Sequence, residues 1–229
     1  KYCHMSPIEE KLLSGIIHPI LLCRKKNNTD ISQAVAPNQK YLGVMLPYTP
    51  LHHLLLSEIN KPLVMTSGNT SDEPIAYKDD EAIFRLKKIV DYFVTHNREI
   101  HIRTDDSVVK VINNKLYPIR RSRGFVPAPI ILPVKSKKQI LACGAMLKNT
   151  FCLIRDKYAF VSHHIGDLEN PETFNSFTEG IKHLQRLFSI KPEIIVYDMH
   201  PDYFSTQFAL NSHIKNRIPI QHHYAHILS

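Results

Sequence analysis

The chain has 229 residues, of which 43% are hydrophobic and 22% charged, so it has enough apolar side chains for an ordinary globular core. It contains no apolar stretch of the roughly 18 residues that a membrane span needs, and no apolar run follows its basic start as in a signal peptide. The net charge is +8, and residues 1–137 carry 20 basic against 13 acidic side chains. This excess in the first part favours anionic partners such as phosphates, nucleotides or nucleic acid.

The four cysteines, at positions 3, 23, 143 and 152, form no C-x-x-C pair. This spacing excludes a zinc knuckle or a dithiol motif within the chain. Cys23 and Cys152 lie in apolar runs, which is typical of buried, reduced thiols. We therefore expect a reducing compartment and a cytoplasmic protein.

In the first part, turn and capping signals separate short apolar segments. Residues 6–9 read Ser-Pro-Ile-Glu, which is a capping box with proline at the first helical position, and Gly15 ends the predicted helix. A second helix is predicted to begin at Thr49 and Pro50, and a third covers residues 78–88. Strands are predicted at residues 19–23, 63–66, 91–95, 107–112 and 116–120, with a hairpin turn at Asn113 and Asn114.

A proline-rich segment, residues 127–133, cannot continue a helix or a central strand and predicts a domain boundary at about 134–138. The predicted domains are thus 1–134 and 138–229. In the second, strands are predicted at 140–143, 150–155, 158–162, 194–197 and 218–221, with helices over 171–188 and 202–213. This order opens one lobe of a ribonuclease H-like, or actin-like, domain. The chain starts at Lys1 and stops within an element, so we expect an α/β protein in which both domains are incomplete.

Two groups of residues in the first part are suited to anions. The turn Ser67-Gly68-Asn69 joins a predicted strand to a helix, where backbone N–H groups converge on an anion, although a plain β-to-α turn uses the same residues. Arg120, Arg121 and Arg123 end a predicted strand, and alternation places Arg121 and Arg123 on one face. A solvated basic segment is the alternative. Asp105 and Asp106 either bind a cation or pair with these arginines, and we expect pairing for at least one.

The second part contains two further candidate motifs. Lys148-Asn149-Thr150 lies in a turn near the start of the domain, where actin-like folds hold nucleotide phosphates. His222 and His226 are four residues apart, so a helix places both imidazoles on one face, as a metal requires. A structural histidine pair is the alternative, and Asp198, His200 and Asp202 are possible neighbours.

Together these motifs resemble those of the carbamoyltransferase HypF family, which acts in the maturation of nickel–iron hydrogenases. The resemblance in the first part, to the later portion of a YrdC-like domain, lies in residues 65–69, 73–75, 105–109 and 120–124. In the second part it lies in residues 148–151, 164–170, 198–203 and 222–226. The motifs occur in order along essentially the whole chain.

The resemblance implies a YrdC-like domain that makes carbamoyl-adenylate from carbamoyl phosphate and ATP, used with Mg²⁺. A following actin-like domain passes the carbamoyl group to the C-terminal cysteine of a partner, HypE, for the cyanide ligand of the hydrogenase iron. The resemblance assigns Ser67, Gly68, Asn69 and Ser107 to the adenylate pocket, Arg121 and Arg123 to its phosphates, and His222 and His226 to a divalent metal such as zinc or iron. Neither a membrane nor a nucleic acid is expected as a partner.

The sequence also departs from the family pattern. The acylphosphatase domain, the paired zinc fingers and the first part of the YrdC-like domain are absent from it. Asp72 stands where the family has glycine, and Tyr224 replaces a histidine. We expect a third, carboxylate metal ligand beyond Ser229, and we expect that this chain by itself does not complete carbamoyl transfer. Residues 138–229 are expected to be loosely packed or aggregation-prone, with the apolar face of helix 171–188 exposed.

Other functions remain open on the sequence. A YrdC-like factor of tRNA threonylcarbamoylation shares the adenylation chemistry, but the His-x-x-x-His motif in the same chain argues against it. A non-catalytic nucleotide- or RNA-binding module fits the charge, but few aromatic residues lie among the basic ones. A non-functional remnant is the third alternative, and nucleotide binding without turnover would favour it.

Overall fold

The computed structural model describes residues 1–71 and 73–228 and divides the chain into two compact units. The first unit consists of Lys1–Ser67 and Asp105–Phe125, and the second of Gly68–Thr104 and Val126–Ser229. The predicted domain ranges 1–134 and 138–229 stay a prediction, because the compact units follow packing rather than sequence order.

The first unit contains a five-stranded sheet in the order β1-β2-β4-β5, with β3 also paired to β2. Its strands are β1 (Cys3–His4), β2 (Ile20–Lys25), β3 (Tyr41–Val44), β4 (Val108–Ile112) and β5 (Lys115–Arg120), and its helices are α1 (Pro7–Ser14), α2 (Pro50–Ile59) and a short 3-10 helix (Gln33–Val35). Strands β2 and β4 run parallel, and the other pairs are antiparallel.

Local signals explain several of these elements. The capping box of α1 is confirmed, because the side chain of Ser6 accepts from the backbone of Glu9 while the Glu9 carboxylate accepts from the Ser6 backbone. Asn113 and Asn114 both have positive φ, as a tight hairpin between β4 and β5 requires. The main buried cluster of this unit is small and consists of Leu13, Leu21, Cys23 and Val109.

The second unit contains a six-stranded sheet in the order β11-β10-β7-β8-β9-β6. Its strands are β6 (Ile130–Ile131), β7 (Ile140–Ala142), β8 (Cys152–Arg155), β9 (Tyr158–Val161), β10 (Ile194–Asp198) and β11 (Asn216–Ile220). Its helices are α3 (Asp79–Leu86), α4 (Pro171–Phe188), α5 (Phe204–Leu210) and α6 (His222–Leu228). Strands β7, β8 and β9 are antiparallel, and β10 pairs in parallel with both β7 and β11, so the predicted α/β order is confirmed.

Helix α4 closes the core of the second unit. Its first N–H groups are capped by the side chain of Asn170, and Ser189 ends it in a left-handed conformation. Phe177, Ile181 and Leu184 of α4 are buried in a core that also includes strand residues of the sheet. The expectation of an exposed apolar face on this helix was therefore wrong, because strand residues of the sheet pack against it within the described residues. Loose packing or aggregation of residues 138–229 stays a prediction.

Two predicted strands, at residues 63–66 and 91–95, were also wrong. Neither segment forms a strand among the described residues, and Val64 and Val94 remain 77% and 72% exposed. A strand forms only where a neighbouring strand completes its hydrogen-bond ladder, which apolar composition does not supply. Conversely, the short strands β1, β3 and β6 were missed. Strand β6 lies within the proline-rich segment, at the edge of its sheet, where proline is tolerated.

Two expectations from composition can be compared with the structure. Among the described residues, no helix has the length and apolar character that crossing a bilayer requires. The four cysteines are free, and Cys23 is buried as predicted, whereas Cys152 is only partly buried. Burial raises the pKa of Cys23 and of Cys143 to about 12, so these thiols are held protonated.

Candidate functional site

In the first unit, Ser107 joins the start of β4 to the segment after β5. It is fully buried. Its hydroxyl donates to the carbonyl of Arg123 at 2.8 Å and accepts from the backbone N–H of Ser122 at 2.8 Å. The structure thus brings Ser107 and the arginine segment together, with the hydroxyl committed to holding that segment in place.

The guanidinium of Arg123 is bound inside the first unit. Its Nε donates to Asp106 at 2.7 Å, and its Nη1 and Nη2 donate to the carbonyls of Ile17 and His18 at 3.2 and 2.6 Å. The Cζ atom also lies 3.4 Å from the ring centroid of Tyr48, a cation–π arrangement. Arg123 therefore connects three segments of the unit, and its predicted role near a phosphate stays a prediction.

The carboxylates ahead of β4 pair with arginines, as expected for at least one of them. Asp106 pairs with Arg123, and Asp105 lies 3.8 Å from Arg120. Tyr48, which was not predicted as a site residue, donates its hydroxyl proton to Asp106 at 3.1 Å. Burial, and then the charge of Asp106, raise the pKa of Tyr48.

Arg121 follows β5 and is partly buried. Its Nη2 donates to the carbonyl of Phe125 at 3.3 Å. The prediction that Arg121 and Arg123 share one face rests on strand alternation, but β5 ends at Arg120, so alternation does not fix their directions. Arg120 and Arg123, on either side of Arg121, pair with carboxylates.

The predicted anion turn is divided between the compact units, with Ser67 in the first and Gly68 and Asn69 in the second. The carbonyl of Gly68 accepts from the N–H of Ala76 at 2.9 Å, and Nδ2 of Asn69 donates to the Thr70 carbonyl at 2.8 Å. A Cβ on Gly68 would lie 3.6 Å from the nearest atom, so space does not require glycine here.

Asp72, which stands where the family has glycine, lies outside the residues that the structure describes.

Arg85 of α3 holds the second half of this turn. Its Nη2 donates to Glu73 at 2.6 Å and to the Pro74 carbonyl at 2.9 Å, and its Nη1 donates to Glu81 at 2.5 Å. Thr70 donates to the same Glu73 carboxylate, and the hydrogen bonds from Thr70 and then Arg85 lower the pKa of Glu73. Arg85 was not predicted as a site residue, although the Glu81–Arg85 spacing is that of a helical ion pair.

The second candidate turn, Lys148-Asn149-Thr150, is stabilised by hydrogen bonds from a buried side chain. Asn149 is buried, and its Nδ2 donates to the carbonyls of Cys143 and Ala145 at 2.9 and 2.5 Å. Gly144 has a φ of +70°, and a Cβ there would lie 2.2 Å from the carbonyl oxygen of Thr150. Asn149 and Gly144 therefore fix the shape of the turn.

The outer part of this turn is more open. Lys148 is exposed, and its backbone N–H donates to Asp167 Oδ1 at 2.6 Å. The loop that contains Asp167 also forms a bridge from Gly166 to Asn149. Thr150 is partly buried. The three predicted residues thus adjoin one another, with Lys148 facing outward and Asn149 acting within the fold.

The histidine pair lies at the C-terminal edge of the second sheet, where β10 ends and α6 begins. His222 Nε2 and His226 Nε2 are 3.1 Å apart. On the other side of the ring, His222 Nδ1 lies 2.7 Å from Asp198 Oδ2. Asp198 is the last residue of β10 and pairs in register with Ile220, which places its side chain near the start of α6.

This arrangement fits one divalent ion. Metal–nitrogen distances of about 2.0–2.1 Å put two ligands of one ion about 3 Å apart, which matches the Nε2 separation. A carboxylate on the opposite ring nitrogen is the usual second-sphere partner of a metal-bound histidine. Among residues 1–71 and 73–228, no group of three histidine, cysteine or acidic side chains is arranged to hold a metal, and the metal role of His222 and His226 stays a prediction.

Two known families match successive parts of the chain, in the same order as the motifs that resemble them. The YrdC-like family whose description is "Telomere recombination" matches residues 1–122. The family described as "HypF Kae1-like domain" matches residues 135–229. The two matches leave a short segment between them that includes the proline-rich residues.

Individual relatives match along nearly the whole chain. Carbamoyltransferase HypF of Synechocystis sp. is 44% identical over 228 residues, which is 99% of this chain and 30% of the relative. The probable carbamoyltransferase HypF of Methanocaldococcus jannaschii is 38% identical over 228 residues, with 96% and 29% covered. The chain therefore spans about 30% of the length of these curated relatives.

Two solved structures are similar in fold and sequence. One is a full-length HypF in a phosphate- and nucleotide-bound form, with a TM-score of 0.93 and 47% identity over 99% of this chain and 36% of that one. The other is HypF of T. kodakarensis, with a TM-score of 0.92 and 36% identity over 99% of this chain and 30% of that one.

Proposed function

The chain belongs to the YrdC-like family and, along nearly its whole length, to the HypF family, and on this premise we propose that the natural gene product is a carbamoyltransferase. The observation that carries the proposal is the likeness of the whole chain, at 47% identity and a TM-score of 0.93, to a HypF bound to phosphate and a nucleotide. A likeness that runs through both family regions favours this function over a tRNA-modifying YrdC-like factor.

In the proposed reaction, water cleaves carbamoyl phosphate to carbamate and inorganic phosphate. A carbamate oxygen then bonds to the α-phosphorus of ATP, used with Mg²⁺, and pyrophosphate leaves, which gives carbamoyl-adenylate. The thiolate of a C-terminal cysteine on a HypE-type partner then forms a C–S bond with the carbamoyl carbon, and AMP leaves with the electrons of the broken C–O bond. The first step requires charge stabilisation around phosphates, which the positive excess of residues 1–137 favours.

We propose different tasks for the residues assigned to the adenylate. Arg121 is the candidate for direct phosphate contact, because the resemblance assigns it to the adenylate phosphates and it lies within the part of the chain that the YrdC-like family matches. Ser107 and Arg123 hold the arginine segment in place through their internal hydrogen bonds. Ser67, Gly68 and Asn69 remain candidates for the adenylate, and Arg85 keeps the adjoining turn in shape.

In the second family region, His222 and His226 are proposed as ligands of a divalent metal such as zinc or iron. Such a metal, when bound, polarises an oxygen of the group to be transferred. The two imidazoles supply the facing nitrogens, 3.1 Å apart. Lys148 and Thr150, in the turn held by Asn149, are proposed to contact a phosphate.

The proposal is tested by pyrophosphate release from ATP by the natural gene product. We expect release to require carbamoyl phosphate and to be unsupported by threonine with bicarbonate. A charge-assisted hydrogen bond contributes about 1.5–3 kcal/mol, so Arg121→Ala should weaken apparent ATP affinity about tenfold to a hundredfold. The matched control is Arg24→Ala, an exposed arginine of β2, which should leave the affinity unchanged. Release with threonine and bicarbonate but not with carbamoyl phosphate would identify the tRNA-modifying class instead.

A further inference from the structure

Asp198 is held in one orientation at the end of β10. Its Oδ1 accepts from the backbone N–H of His200 at 2.9 Å, and its Oδ2 contacts His222 Nδ1 at 2.7 Å. Its backbone carbonyl accepts from Thr206 Oγ1 at 2.7 Å. Only 8% of the side chain is exposed. Both carboxylate oxygens are therefore committed, and α5 holds the backbone that carries them.

This orientation decides which nitrogen of His222 has the proton. An ionised carboxylate only accepts hydrogen bonds, so a 2.7 Å contact requires a proton on Nδ1. A neutral imidazole has one proton, and Nε2 of His222 is left with its lone pair. That nitrogen is the one that lies 3.1 Å from His226 Nε2.

We propose that Asp198 is a positioning residue that fixes His222 in the Nδ1–H form, so that Nε2 is directed to a divalent metal shared with His226. The inference rests on the proposed metal site and adds to it the residue that prepares a ligand before the ion arrives. Asp198 is not itself a ligand in this arrangement, because its oxygens are occupied by His200 and His222.

The substitution Asp198→Asn keeps the shape of the side chain but changes the hydrogen bond that it makes with His222. The N–H of His200 still requires an acceptor, so the amide oxygen must take the Oδ1 position and the amide NH₂ must face His222 Nδ1. Nδ1 then has to accept, and the proton moves to Nε2, where it blocks the metal. The matched control is Asp202→Asn, an exposed carboxylate in the following turn.

The tautomer is read directly by long-range ¹H–¹⁵N correlation spectra of histidine-labelled, metal-free chain at pH 8. We expect Nδ1–H for His222 in the wild type and in Asp202→Asn, and Nε2–H in Asp198→Asn. Zinc titration of the same samples should show about a tenfold to hundredfold loss of affinity in Asp198→Asn alone.

Two outcomes separate this inference from the metal site on which it rests. An Nε2–H tautomer in the wild type, which needs no variant to fold, overturns the role of Asp198, as does an unchanged tautomer in a folded Asp198→Asn. If instead zinc binds equally well after both His222→Ala and His226→Ala, the metal site is wrong whatever the tautomer shows.

Discussion

His163 is a buried imidazole in the second unit whose ionisation we expect to limit stability in acid. The side chain is 6% exposed, and Nε2 has no hydrogen-bond partner among the described residues. Burial, and then the charges of Arg103, His164 and His183, lower the pKa of His163 from 6.5 to about 4.

The direction and size of the pH effect on the free energy of unfolding follow from proton linkage. Between about pH 4 and 6.5 the unfolded chain binds a proton at this position and the folded chain does not, so the free energy of unfolding falls as the pH falls through that window. The stability is fully present above pH 6.5. A displacement of this size corresponds to about 3 kcal/mol lost by pH 4, at about 1.4 kcal/mol per pKa unit.

The perturbation is His163→Gln, which removes the titrating group but keeps a polar side chain of similar length. Urea unfolding, followed by circular dichroism at pH 7 and pH 4, gives the loss of stability for each protein. We expect the wild type to lose about 3 kcal/mol more than His163→Gln over this range. His213→Gln, at an exposed histidine, should behave like the wild type. Equal losses in the wild type and His163→Gln would refute the reasoning.

Three further substitutions test which contacts stabilise the arginine segment and the two candidate turns. Arg123→Ala removes three hydrogen bonds, one of them to a carboxylate, and should lower the free energy of unfolding by about 3 kcal/mol in urea titrations. Gly144→Ala should lower the melting temperature, because the positive φ and the Thr150 carbonyl both oppose a Cβ. Arg85→Ala should speed amide exchange around Glu73, measured by hydrogen-exchange mass spectrometry, because it frees that carboxylate from α3.

Each substitution has a control within the chain. Gly68→Ala should leave the melting temperature nearly unchanged, because its Cβ meets nothing closer than 3.6 Å. Arg24→Ala serves for both arginines, since its side chain is exposed on β2. Equal effects of Gly144→Ala and Gly68→Ala would show that the close approach at Gly144 does not matter. Unchanged exchange in Arg85→Ala would remove the proposed role of that side chain.

Elements with complete local signals were predictable from the sequence. Helix α1 carries its capping box, and α4 begins at Pro171 and ends at Phe188 as predicted, because proline, the Asn170 cap and the apolar spacing agree. The strands at residues 63–66 and 91–95 were not predictable in this way. Their apolar character is real, but strand formation depends on a partner that sequence spacing does not reveal.

The candidate site also contains contacts that follow from local spacing and contacts that depend on distant segments. The spacing of His222 and His226 sufficed to predict that the imidazoles meet, because both lie on one helix. Asp198 was only a possible neighbour in sequence, since its approach depends on the parallel pairing of β10 with β11. Likewise, Arg123 binds the carbonyl of His18, 105 positions away, and no local pattern indicates that contact.

Carbamoyl transfer by the natural gene product is the central claim, and mass spectrometry of the C-terminal peptide of a HypE-type partner tests it most directly. We predict that the partner's terminal cysteine gains one carbamoyl group when ATP and carbamoyl phosphate are both present. The paired substitutions His222→Ala and His226→Ala should abolish the gain, and His223→Ala, on the same helix, should not. An unmodified cysteine under these conditions, or one modified without ATP, would contradict the proposed ATP-dependent carbamoyl transfer.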